Sequence, residues 1–162
     1  MASPKRRTSK IIVVETDFLF GLSAGDKLHR YVIRWLEGSR KGLFKLVVSG
    51  ASPVEAAVAM LSKGFSAARA QEVLEAMSEE LELYGAASFT ELSLEVVARA
   101  MQLREKHEEL GFFDSLHVAA AATSGAALLS SDAVVRVVAE REGLEALSLS
   151  DSASFDELLG RA

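Results

Sequence analysis

Two kinds of apolar run alternate along the chain. Ile11 to Val14, Leu46 to Val48 and Ala126 to Leu129 are short and continuous, the pattern of strands buried on both faces. Ala87 to Thr90 reads as a further strand and Leu147 to Leu149 as an edge strand. Between them, apolar residues recur at helical spacing. Leu28, Val32 and Trp35, with Tyr31 beside them, mark a helix from Asp26 to Trp35 that Gly38 and Gly42 stop. Ser52-Pro-Val-Glu55 reads as a capping box with proline at the first helical position, which starts a helix and carries Glu55 in its first turn. Gly64 breaks that helix, Ser66 caps the next one from Ala67 to Leu83, and Gly85 ends it. Ser93 starts a helix through Arg99, Leu103 and His107 that Gly111 ends. Further helices are expected over Phe113 to Thr123, Val134 to Ala139 and Phe155 to Leu159. Strands alternating with helices imply right-handed crossovers, so the fold expected is α/β, three layers deep, with a central parallel sheet of about five strands.

Composition narrows the chemistry. The 162 residues suit one domain, here expected over 11–162 behind a flexible basic leader over 1–10, and 49% apolar with 25% charged residues is globular composition. With no cysteine, disulfides, thiolate zinc sites, iron–sulfur clusters and cysteine nucleophiles are all excluded. Only His29, His107 and His117 offer imidazole, and no two stand at metal-ligand spacing. Carboxylate oxygens are therefore the expected ligands, which favours Mg²⁺ or Mn²⁺ over zinc. The opening residues do not form a signal peptide and no apolar run is long enough to span a membrane, so a cytoplasmic protein without a membrane partner is expected. A net charge of −5 argues against a general basic coat and confines any polyanion contact to local patches.

The acids are distributed with more purpose than the bases. In open parallel sheets, ligands bind beyond the carboxyl ends of the strands, where strand order reverses. Glu15 and Asp17 follow the first strand, Glu55 follows the second, Asp132 follows the strand at Ala126 to Leu129, and Asp114 opens the helix before it. Carboxylates brought together repel and raise one another's pKa unless a cation neutralises them. His117, one turn after Asp114, is placed to contact substrate or orient a carboxylate.

The segments VVETDFLF, SPVEAAVAML, FFDSLHVAAAA and LLSSDAVV, in this order over nearly the whole chain, resemble the PIN-domain nucleases, which include the toxins of VapBC-type toxin–antitoxin pairs. The resemblance implies cleavage of RNA by an activated water at an acidic metal site, a homodimer and, for a toxin, an antitoxin partner. It puts metal-binding positions on Glu15, Glu55, Asp114 and Asp132, with Asp17 and Ser130 as polar supporting residues. One departure stands out. The first acid of the family is usually Asp, and here it is Glu15, with Asp17 two residues on as an alternative ligand.

Each feature has a plainer reading beside it. Glu55, Asp114 and Asp132 all sit where a carboxylate caps a helix. Arg30, Arg34, Arg40, Lys41 and Lys45 form a basic stretch that either holds a phosphate backbone, through Arg30, Arg34 and Lys41 above all, or is a solvated helix face. His29 and His107 look solvated, and Trp35, Phe18, Phe20, Phe112 and Phe113 look like core or subunit contacts. Two other functions stay open: a catalytically weak or inactive PIN-like domain that binds RNA or a protein, and a haloacid-dehalogenase-like phosphatase suggested by Glu15-Thr16-Asp17 with Ser49.

Overall fold

A computed structural model describes residues 9–160; most of the basic leader and the last two residues lie outside the described residues. Four parallel strands, β1 (Ile11–Val14), β2 (Lys45–Val48), β3 (Ala127–Ser130) and β4 (Ala146–Ser148), form a sheet in the order β2-β1-β3-β4. Their register pairs Val14 with Val48 on one side and with Leu129 on the other, so the carboxyl ends of β1, β2 and β3 finish level. Eight helices complete the described chain: α1 (Thr16–Phe20), α2 (His29–Arg40), α3 (Ser52–Ser62), α4 (Ala67–Leu83), α5 (Leu94–Lys106), α6 (Phe112–Ser124), α7 (Ala133–Arg141) and α8 (Ser152–Gly160).

Alternation along β1 divides the core. Ile12 and Val14 point into one apolar cluster with Phe18, Trp35, Leu36, Phe44 and Phe155, whereas Val13 joins α5, α6 and α7 through Ala100, Leu103, Val118 and Val138. The two clusters lie on opposite faces, which is the three-layer arrangement expected. Ala119, Ala120 and Ala121 are all buried, and small side chains there let α6 run close under the sheet. The crossover from β2 to β3 passes β1, so strand order reverses between β1 and β3.

Several expectations need correction. The sheet has four strands, not about five. Residues 87–90 meet β2 only at its last residue, through an isolated Val48–Phe89 bridge, because the chain turns into α3 directly afterwards. Gly50 makes that close approach possible, since a Cβ there would lie 2.3 Å from the Thr90 carbonyl oxygen. Gly38 does not stop α2. It lies inside the helix, where a Cβ would meet the Phe44 ring at 2.7 Å, so its smallness serves packing. The five-residue helix α1 between β1 and α2 was not expected. Ser66 and Ser93 cap α4 and α5 as anticipated, accepting from Arg69 N and Val96 N.

Candidate active site

Glu15 stands where strand order reverses. It leaves β1, opens α1 without capping it by its side chain, and is only 6% exposed. Ser130, the last residue of β3, donates its hydroxyl to Glu15 Oε1 at 2.7 Å, and Ser130 Oγ in turn accepts from the Asp132 amide at 3.0 Å. Glu15 Oε2 is buried and has no hydrogen-bond partner. Burial pushes the Glu15 carboxyl up to about 7; the nearby charge of His117 and the Ser130 bond oppose this, while Asp17 and Asp114 add to it. An uncompensated carboxylate oxygen at this depth is costly by itself and matches the needs of a cation.

Glu55 is held differently. The capping box anticipated for it does not form: Ala51 is the N-cap residue, no side chain caps the helix, and the Ser52 hydroxyl is buried without a partner. The Glu55 carboxylate instead accepts from Thr16 Oγ1 and from His117 Nε2, the latter at 2.7 Å. Nε2 donates to that carboxylate, and Nδ1 lies 2.8 Å from the Ser49 hydroxyl. His117 is 1% exposed, so this chain from Ser49 through His117 to Glu55 is fixed from below. Burial raises the Glu55 pKa, but the bonds from His117 and Thr16 outweigh it and leave the carboxyl below its usual value.

Asp114, half-buried in the first turn of α6, accepts from the Gly111 amide at 3.2 Å. Glycine has no side chain to return the bond, so only half of a capping box exists. The Asp114 pKa is raised, first by burial and, against the Gly111 bond, by the charges of Asp132 and Glu55. Its plainer reading as a cap is thus incomplete: the same carboxylate also feels two other acids of the set. Asp132 is an N-cap in full, with Oδ1 accepting from Val134 N at 2.7 Å and Val135 N at 3.3 Å. Asp17 lies exposed on the rim, where its Oδ2 accepts from Ser131 Oγ. Between the two candidates for first acid, Glu15 is the interior one.

The acids therefore share one end of the sheet and one field, but their oxygens are mostly held by protein donors. Among the described residues, no three carboxylates or imidazoles are close enough to cage an ion as they stand. The orphaned Glu15 Oε2, the raised Asp114 and the all-oxygen donor set fit a hard divalent cation that would draw the group inward.

The basic stretch is not gathered at this end. α2 runs back toward the amino end of β2, so Lys41 and Lys45 lie at the end of the sheet opposite the acids. Arg34 is committed to Asp156 at 2.7 Å and to the Phe155 ring, and Arg30 lies over Tyr31. The histidines expected in solvent also differ. His29 Nδ1 lies 2.9 Å from the Gly21 carbonyl, and His107 is nearly covered, with Nε2 2.7 Å from Glu142. Sequence reasoning brought in Thr16 and Ser49 only for the phosphatase alternative and missed their contacts with Glu55 and His117. It also missed Arg136, which donates to the Ser130 carbonyl at 2.8 Å and braces the β3 end. No helix among the described residues is long and apolar enough to cross a membrane.

No curated protein matches the sequence. Among solved structures, a chain of VapBC2 from Rickettsia felis, bound to a promoter DNA fragment, is similar with a TM-score of 0.61 at 15% identity, over 85% of this chain and 98% of that one. PAE2754 from Pyrobaculum aerophilum is similar with a TM-score of 0.59 at 17% identity, over 93% and 98%. A chain of VapBC-1 from nontypeable Haemophilus influenzae gives 0.60 at 11%, over 87% and 99%. At such identities the likeness shows the fold. The family profile described as the PIN domain matches residues 12–141, from β1 to the end of α7, and so takes in every acid of the site: the chain belongs to the PIN domain family.

Proposed function

We propose that residues 11–162 form one PIN-like unit acting as a Mg²⁺- or Mn²⁺-dependent endoribonuclease, the toxin of a toxin–antitoxin pair. PIN domains are generally nucleases that use divalent metal ions, and solved structures named as VapBC complexes share this fold. The observation that carries the reading is Glu15: a buried carboxylate at the strand-order reversal, anchored through one oxygen and unpartnered at the other.

In this reading Glu15 Oε2, Asp114, Asp132 and Glu55 would hold the cation, with Asp17 at the rim. When bound, the ion supplies a lowered pKa for the attacking water and neutralises charge developing on the phosphodiester. The protein's part is positional. Ser130 holds Glu15, Thr16 and His117 hold Glu55, and the Gly111 amide holds Asp114, each carboxylate by one side and at the same end of the sheet. No side-chain nucleophile is needed. The phosphatase alternative requires the first acid as an exposed nucleophile, and Glu15 is buried with Oε1 held.

The test is cleavage of a defined RNA by metal-stripped protein, with Mn²⁺ or Mg²⁺ added back. Restored cutting by wild type and none by Asp114→Asn supports the reading; equal cutting by both proteins would assign the activity to a contaminant. Binding of RNA with no product in excess Mn²⁺ would favour the inactive, binding-only alternative. The toxin role predicts growth arrest on expression, relieved by Asp132→Ala and by a co-expressed antitoxin. Homodimerisation is checked by light scattering.

A further inference from the structure

A groove of about 700 Å³ opens beside the acids, lined by Asp17, Phe20, Lys27, Lys63 and Ser131 together with backbone-rich turn residues of the loop over 23–28. Its wall is joined to the acidic site by the Ser131 to Asp17 hydrogen bond, and Ser131 lies between Ser130 and Asp132 in the chain. Half of the basic side chains among the described residues, namely Lys10, Arg34, Arg40, Arg69, Arg99, Lys106 and Arg141, pair with carboxylates. Of the remaining ones, which have no carboxylate within 4 Å, Lys27 and Lys63 are the two that line the groove, and both are exposed there; Lys63 Nζ has the Phe20 ring 5.9 Å away, measured to its centroid. The groove's own acids, Asp17 and Asp26, accept from Ser131 Oγ and from the Leu28 amide at 2.8 Å, and among the described residues neither pairs with a lysine.

Unpaired ammonium groups in a net-negative protein are attractive for a polyanion, and here they sit next to the carboxylates that would cut it. Phe20, partly exposed at the end of α1, offers the groove an aromatic surface on which a base can stack. We propose that this groove seats a single-stranded nucleic acid beside the scissile position, with Lys27 and Lys63 on successive phosphates and Phe20 against a base. The proposal deepens the nuclease reading and rests on it for the identity of the polyanion. It moves the phosphate contact from Arg30, Arg34 and Lys41 to residues that sequence spacing did not single out.

The experiment is a fluorescence-anisotropy titration of a labelled single-stranded RNA oligonucleotide with metal-stripped protein in EDTA, repeated over a range of salt. Wild type is compared with Lys27→Gln/Lys63→Gln and, as a control at the far end of the sheet, Lys41→Gln/Lys45→Gln. Loss of two phosphate contacts reduces the slope of log affinity against log salt by roughly 1.4, from about 0.7 per contact on a single strand. The far pair leaves the slope unchanged. Phe20→Leu lowers affinity on the order of tenfold at every salt without altering the slope. An unchanged slope in Lys27→Gln/Lys63→Gln, or a loss confined to Lys41→Gln/Lys45→Gln, overturns the groove. So does displacement of the RNA by polyglutamate at equal charge, which would make the groove a peptide site. Metal-restored cleavage separates the two claims: cutting by wild type with an unchanged slope in the groove variant rejects the groove alone. A Lys27- and Lys63-dependent slope without cutting rejects the nuclease alone.

Discussion

Two glutamates in this molecule are covered to a similar degree and behave in opposite ways. Glu142, just past α7, has a side chain 8% exposed and is ringed by nitrogen groups: His107 Nε2 at 2.7 Å, Lys106 Nζ at 2.9 Å and Arg99 at 3.7 Å. Its cover is a layer of charged side chains at the surface, and the bonds from His107 and Lys106 hold its pKa below the usual carboxylate range. Glu15, at the other end of the sheet, lies among other acids, with one hydroxyl for company and one oxygen unpartnered, and its pKa is pushed up to about 7. The first is an internally compensated ion cluster that locks the end of α5 to the end of α7. The second is a buried carboxyl with one oxygen left uncompensated by the protein, the feature on which the proposed cation site rests.

Neutralising the two should break the comparison in opposite directions. Glu15→Gln is expected to lower metal-restored RNA cleavage by at least ~100-fold, the scale of losing one preorganised electrostatic contact at the reacting phosphate. Chemical denaturation at pH 8 should at the same time show the metal-free variant to be more stable than wild type. A retained rate in Glu15→Gln would hand the first-acid role to Asp17.

The pH dependence follows from the same residue. A folded-state pKa of about 7 against an unfolded value of 4.5 means that the fold keeps a proton the unfolded chain has released. Glu15 is then harmless below pH 4.5 and costs stability as pH rises toward 7, by about 1.4 kcal/mol per unit and roughly 3 kcal/mol in all. Urea melts of metal-free wild type and Glu15→Gln across pH 4.5 to 8 measure the difference directly. A flat difference would show that the carboxylate is already compensated.

His117→Ala should come next in size. It removes the imidazole that orients Glu55, and supporting partners of metal ligands typically cost about 10–100-fold in affinity, read by calorimetric titration of Mn²⁺. The smallest effect belongs to Glu142→Gln. It leaves cleavage unchanged and lowers stability by about 1 kcal/mol or less, as expected of a solvent-facing ion cluster. Its sign with pH is the reverse of that of Glu15: a lowered pKa gives stability that is present above the unfolded value and fades as pH falls.

Much of the fold is legible in the sequence. Branched apolar runs located β1, β2 and β3 to within a residue, and serines located the starts of α4 and α5, because burial on both faces and capping are local signals. The acids at the strand ends were legible for the same reason. What was not legible depends on partners far along the chain. The capping-box pattern at Ser52 gave way because Glu55 finds Thr16 and His117, residues 39 and 62 positions away, and Ala51 begins the helix instead. The strand at 87–90 has strand-like composition but reaches the sheet edge only where β2 ends. Charge clustering in sequence misled about Lys41 and Lys45, since α2 carries them about 18 Å from its own start, a distance set by the rise per residue of a 12-residue helix. Lys27 and Lys63 form no pattern in sequence and meet only in the groove.

The central claim is that Glu15 is left uncompensated so that a cation can complete the site. Calorimetric titration of Mn²⁺ into metal-stripped protein at pH 8 tests it most directly, with wild type, Glu15→Gln and Glu142→Gln side by side. The account predicts saturable binding by wild type and Glu142→Gln and its loss in Glu15→Gln. Equal binding by all three proteins, or none by wild type, would contradict it.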